Sequence, residues 1–101
     1  MEITVEHDTR HRRFEARVNG ELAGFADYRF RDGVLAFTHT EIDPAFQGKG
    51  VAGTLIGAAL DEVRADGGRV LPLCSYVADY ISRHPEYTDL VAYDQSRGGG
   101  A

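Results

Sequence analysis

A chain of 101 residues has room for one domain with a single modest core, and 43% hydrophobic with 27% charged residues is the balance of a soluble globular fold. A net charge of −5 argues against a broad electrostatic grip on nucleic acid or an anionic membrane, and no apolar run approaches the ~20 residues a membrane span needs. The lone cysteine, Cys74, forms no internal disulfide, and Met1-Glu2-Ile3-Thr4 lacks a secretory leader, so a cytoplasmic location is expected.

In chain order, Ile3 and Val5 alternate with polar neighbours as a first strand, and Asp8 to Arg12 is a polar turn. Phe14, Ala16 and Val18 repeat with period two in a second strand. Asn19-Gly20 then signals a hairpin into a strand from Glu21 to Arg31, and Asp32-Gly33 a second hairpin into Val34 to Ile42. From Val51 the period becomes helical, with Val51, Ala52, Leu55, Ile56, Ala59, Leu60 and Val63 on one stripe and Gly67-Gly68 as its stop. Arg69 to Leu73 reads as a fifth strand, parallel to the fourth because a helix connects them. Ser75 is expected to cap a last helix carrying Tyr76, Val77, Tyr80, Ile81 and His84, which Pro85 ends or restarts. The predicted fold is a mixed α/β sheet: a four-strand antiparallel meander, a crossover helix, a parallel fifth strand and a C-terminal helix. One domain is expected over residues 1–93, with 94–101 as a glycine-rich frayed tail.

The stretch from Asp43 to Gly53 joins strand to helix through a glycine-rich turn. Gly48 and Gly50 can adopt positive φ, and the first amides of the helix carry partial positive charge, so the turn suits a phosphate. Lys49, the only lysine, adds a mobile positive charge. A nucleotide P-loop needs Ser or Thr after its lysine, and Gly50 stands there instead. Gly48, Gly50 and Gly53 spell a dinucleotide pattern, yet the acidic residue required ~20 positions later is missing, since that region reads Leu71-Pro72-Leu73-Cys74. Gly50-Val51-Ala52-Gly53 also fits the short G-x-x-G of KH-type RNA-binding modules.

Gln47, Gly50 and Ala52 match the Q/R-x-x-G-x-G/A signature of the GNAT superfamily of acetyl-CoA-dependent N-acetyltransferases, and Ile42-Asp43-Pro44 stands where its fourth strand ends. With Leu71 to Tyr76 and Arg83 to Tyr87, the chain resembles small, truncated GNAT-like proteins that carry a cysteine after the fifth strand. The resemblance implies acetyl-CoA or coenzyme A as ligand, without a metal, and an amine or protein acceptor that the sequence does not identify. It implies cofactor contacts from Ile42 and Asp43 of the strand, from Gln47, Gly48, Lys49, Gly50, Val51, Ala52 and Gly53 of the loop, and from Arg83 near the nucleotide. Typical members carry two helices between the first strands, and two further strands after the last helix, so here the acceptor side should be open. A coenzyme A binding or sensing module without efficient transfer is the competing function.

Period two places Phe37, His39, Glu41 and Asp43 on one face, unless a bulge near Pro44 alters it, and Cys74 ends the neighbouring strand, so His39, Glu41 and Cys74 are expected to converge. Glu41 or His39 suits the base that frees an amine of its proton. A lone cysteine is most often a small buried hydrophobe, but Cys74 precedes a helix N-terminus, which favours a thiolate. It is a candidate to accept an acetyl group or to form a mixed disulfide with coenzyme A. Tyr80 stands near the tyrosine that protonates the leaving thiolate in many GNAT enzymes, although it also belongs to the apolar stripe. His7 and His11 lie four apart without further ligands, so no metal is expected.

Overall fold

The computed structural model describes residues 1–92; the expected tail lies outside them. Five strands, β1 (Ile3–Asp8), β2 (Arg13–Val18), β3 (Glu21–Arg31), β4 (Val34–Ile42) and β5 (Arg69–Pro72), form one sheet in the order β1-β2-β3-β4-β5. The first three pairings are antiparallel and β4–β5 is parallel. Helix α1 (Val51–Ala65) makes the crossover and α2 (Ser75–Arg83) follows β5. Short 3-10 segments lie at Pro44–Phe46 and Pro85–Leu90. The expected α/β architecture is therefore the observed one. Among the described residues no helix is long and apolar enough to cross a membrane.

Both hairpins turn on two residues of positive φ, Asn19 at 52° with Gly20 at 85°, and Asp32 at 54° with Gly33 at 80°. Such turns match the twist of the strands they join. At the far end of α1 the amide of Gly68 donates to Val63 O (2.9 Å) and that of Gly67 to Arg64 O (3.1 Å), with Gly67 at φ 72°. These bonds satisfy carbonyls that the helix end would leave bare. α2 begins differently from the expectation. Cys74, still extended at φ −98° and ψ 141°, is the N-cap, and Ser75 is already helical. A capping side chain must sit on an extended residue, so Ser75 cannot serve.

The core lies on one side of the sheet. Phe14, Phe37, Leu55, Leu60, Val51, Val70 and Val77 are fully buried between the sheet and the helices. The outer face carries charges that pair along the strands: Glu15, itself buried, accepts from Arg13 (2.8 Å) and Arg17 (3.2 Å), and the Arg13 guanidinium lies 4.8 Å from the Phe25 ring centre.

The Pro85–Leu90 segment is strapped to α1. Arg64 donates to both carboxylate oxygens of Asp89 (3.0 and 2.9 Å) and to Glu86 O (2.7 Å), and Tyr87 Oη donates to Asp61 (2.6 Å). Beyond it Ala92 N–H reaches Val70 O (2.8 Å), so the chain returns to the edge of β5. The bond to Asp61 and then burial push the Tyr87 hydroxyl from 10.0 up to about 12. Because folding raises this pKa, the stabilisation is complete below pH ~10 and is lost as the pH climbs through ~12. A phenolate absorbance titration should show a late step near pH 12 that Tyr87→Phe removes, with a loss of about 1.5 kcal/mol in urea denaturation at neutral pH.

Candidate active site

The site begins with one extra residue in β4. Asp27 pairs with His39, but the next residue of β3, Tyr28, pairs with Phe37, which leaves Thr38 as a bulge. An inserted residue inverts the alternation beyond it. Phe37 therefore points into the core while His39 and Glu41 point to the outer face, and Thr40 and Ile42 become inward and buried. This corrects the expectation that Phe37, His39 and Glu41 share a face: the bulge falls at Thr38, not near Pro44.

The strand also parts from its neighbour there. β5 pairs only with Val34 to Phe37, and Leu73 N–H to Phe37 O (3.0 Å) is the last bond between them. Pro72 has no N–H to continue the ladder, and Cys74 turns into α2. Asp43 N–H donates to Ala23 O (2.8 Å), so the alternation of an antiparallel strand aims the main-chain groups of His39 and Glu41 at β3 and those of Thr40 and Ile42 into the gap. Asp43 differs from the expectation. Its N–H is engaged by Ala23, its C=O accepts from Phe46 N–H (2.8 Å), and its carboxylate accepts from Ala45 N–H (2.9 Å). Thr40, not anticipated, instead turns its main chain into the gap beside Ile42.

The glycine loop follows. Gln47 Nε2 donates to Ile42 O (3.3 Å), tying the loop to the strand end. Gly48 and Gly50 have φ of 77° and 81°. The first helical bond is Thr54 N–H to Gly50 O (3.1 Å), and no side chain among the described residues caps α1. The amides from Gly48 to Gly53 have no acceptor among the described residues. They border a hollow of about 340 Å³ with Ile42, Phe46, Gln47 and Tyr76. Through Gly50, Ala52, Gly53 and Tyr76 it joins a groove of about 830 Å³ between α1 and α2. Lys49 is exposed beside it.

The chemical side chains stand on two sides of the gap. His39 Nε2 and Glu41 Oε1 are 3.0 Å apart on the outer face, both exposed. Cys74 is buried on the helix side, its Sγ 3.1 Å from Thr40 Oγ1. The expected convergence is thus replaced by two groups that flank the gap. Tyr80 lies in the groove, stacked on His84 with ring centres 3.9 Å apart. It packs on α1 where a methyl at Gly57 would meet its Oη at 2.7 Å. Burial and then Asp61 and Glu86 raise its pKa, so the hydroxyl stays protonated at neutral pH. Arg83 lines the same groove and pairs with Asp79 (3.3 Å). His7 and His11 take separate partners, Glu62 with Tyr28 and Asp8 respectively.

A family model described as GCN5-related N-acetyl-transferase matches residues 13–90. The chain is 34% identical over 85 residues to protein NATD1 of Homo sapiens, covering 82% of this chain and 75% of that one. NATD1 of Danio rerio is 27% identical over 95 residues, covering 90% and 86%. Among solved structures, a GCN5-like protein of Staphylococcus aureus superposes with a TM-score of 0.68 at 18% identity, covering 94% of this chain and 93% of that one. A GNAT family acetyltransferase of Brucella melitensis, in complex with acetyl-CoA, gives 0.53 at 23% identity, covering 67% and 50%.

Two substitutions probe this geometry. Gly50→Ala forces a side chain onto φ 81° and should cost about 1–2 kcal/mol in chemical denaturation, since an added Cβ meets nothing within 4 Å and only backbone strain is at work. Gly57→Ala should displace the Tyr80 ring and abolish its stacking on His84, read as a change in the ring-current shifts of His84.

Proposed function

Since the chain belongs to the GCN5-related N-acetyltransferase family, we propose that it binds acetyl-CoA across the glycine loop and the β4–β5 gap and transfers the acetyl group to an amine. The observation that carries this reading is the run of amides from Gly48 to Gly53, without an acceptor among the described residues, beside the main chain of Thr40 and the N–H of Ile42 that face the gap. Those amides and the positive end of α1 suit a pyrophosphate. Lys49 adds a mobile charge, and Gln47 holds the loop against Ile42 O. The main chain of Thr40 and the N–H of Ile42, whose carbonyl Gln47 already holds, are offered in the gap to an amide-bearing arm, and the α1–α2 groove with Arg83 takes the nucleotide end. Such a ligand is in keeping with the complex of the Brucella melitensis protein, whose fold this chain shares.

Acetyl-CoA supplies an acetyl group already activated as a thioester. Only a neutral amine attacks, so a base must take the ammonium proton, and Glu41 on the exposed outer face suits that role, or His39, 3.0 Å from its carboxylate. Tyr80, kept protonated by burial and neighbouring carboxylates, shares the α1–α2 groove with Arg83, so it would meet the nucleotide end of the ligand, and the departing thiolate takes its proton from water. Cys74 assists from the helix side, where Thr40 Oγ1 can donate to its sulfur. The acceptor is an amine or a protein amino group. The exposure of His39 and Glu41, which no element among the described residues covers, favours a second reading: a coenzyme A binding or sensing module without efficient transfer.

Calorimetric titration with acetyl-CoA should give saturable binding that Gly50→Ala and Lys49→Ala both weaken; absence of heat in the parent chain would end both readings. With a panel of amines, Glu41→Gln should lower kcat by about 10²-fold while acetyl-CoA affinity holds. Unchanged affinity with no turnover on any amine would leave the sensing module. Intact-mass measurement after incubation with acetyl-CoA reports on Cys74, because an adduct there should vanish in Cys74→Ala.

A further inference from the structure

The opposite end of α1 overhangs a second hollow of about 460 Å³, lined by Phe14, Tyr28, Phe30 and Leu35 with Glu62 and Asp66 at its rim. A helix rises ~1.5 Å per residue, so this end lies roughly 20 Å from the glycine loop and shares no residue with the cleft there. Phe30 pairs with Leu35 on the helix-bearing face yet is 61% exposed. α1 stops at Ala65 and the Gly67-Gly68 turn leads away, so the ring is left bare at the mouth of the hollow.

The polar groups inside are organised. His7, its ring 4.0 Å from that of Phe14, is bonded through Nδ1 to Glu62 and through Nε2 to Tyr28 Oη (2.6 Å). An ionised carboxylate only accepts, so Nδ1 carries the hydrogen. Glu62 keeps its second oxygen without a partner among the described residues. After burial, the charge of Glu62 raises the Tyr28 pKa more than Arg12 lowers it, and Asp8 adds to the rise. The carbonyl end of α1 contributes further negative potential. Arg12 also lines the hollow and, among the described lining residues, is the one guanidinium opposing these groups.

We propose that this hollow binds a small organic ammonium ion, its charge against the exposed ring of Phe30, its carbon against the edges of Tyr28 and Leu35, and its N–H groups toward Glu62. Aromatic faces attract cations, and the carboxylate rim reinforces them. A bare metal ion would exchange its hydration for carbon walls, and an anion would meet Glu62, Asp66 and the helix C-terminus. The site is independent of acetyl transfer. Its ligand is either a free amine or the lysine side chain of another protein, which present the same chemistry.

The test is NMR titration of the full chain with benzylammonium chloride, with benzyl alcohol and sodium benzoate as size-matched controls at constant ionic strength. Saturable shifts at His7, Tyr28 and Phe30 are expected for benzylammonium, with affinity about tenfold above that for benzyl alcohol and no saturation by benzoate. Phe30→Ala and Glu62→Gln, both at accessible positions, should each weaken it about fivefold while the remaining spectrum keeps its dispersion. Nα-acetyl-lysine methyl ester, titrated in parallel, separates the sources: tighter binding than benzylammonium assigns the site to a protein side chain, weaker binding to a free amine. Benzoate or benzyl alcohol binding as well as benzylammonium, shifts that survive both substitutions, or no saturable shift with either ammonium would overturn the proposal.

Discussion

Thr38 is one residue more than β3 can pair, and the geometry of the cleft follows from that surplus. A bulge bends its strand and adds twist, and here it coincides with the point where β4 leaves β5. Below it the two strands share a ladder, and Leu35, Phe37 and Val70 seal the core. Above it the main chain of Thr40 and Ile42 faces a gap instead of a strand. The same surplus sends Glu41 and His39 outward while turning Thr40 toward Cys74. Opposite chemistries therefore flank a single opening without any long loop to place them.

The loop that follows depends on α1 being held firmly, because its bare amides are useful only where the helix points them. Firmness comes from the far end. Two amide bonds close the last turn of α1, and Arg64, Asp61, Tyr87 and Asp89 bind it to the chain that returns to β5. Tyr80 seats α2 against the glycines of the first turns. The helix is thus fixed along its length while its first turn stays uncapped.

Much of this was legible from residue patterns. Asn19-Gly20 and Asp32-Gly33 allow few other turns, and alternation in Phe14-Ala16-Val18 needs only one buried face to lock its register. Gln47, Gly50 and Ala52 located the loop and its family. The bulge was not legible, because Thr38-His39-Thr40 offers no apolar residue whose burial would betray the change of face. The faces predicted beyond Phe37 were inverted for that reason, and with them the meeting of His39, Glu41 and Cys74. The N-cap of α2 was misplaced by one residue because a serine is a better cap by type than a cysteine, whereas the choice was made by where β5 released the chain. That Asp43 would be consumed by its own turn needed the path of β3, which no local pattern contains.

The order of the strands in space repeats their order along the chain. The second, third and fourth can each dock on the strand before across a turn of only a few residues, so little loop-closure entropy opposes each addition. Only the parallel strand must wait for a helix to form before it finds its edge. Such local wiring favours rapid folding from the N-terminus onward, one strand at a time as the polypeptide emerges, and postpones the opening between β4 and β5 to the final step.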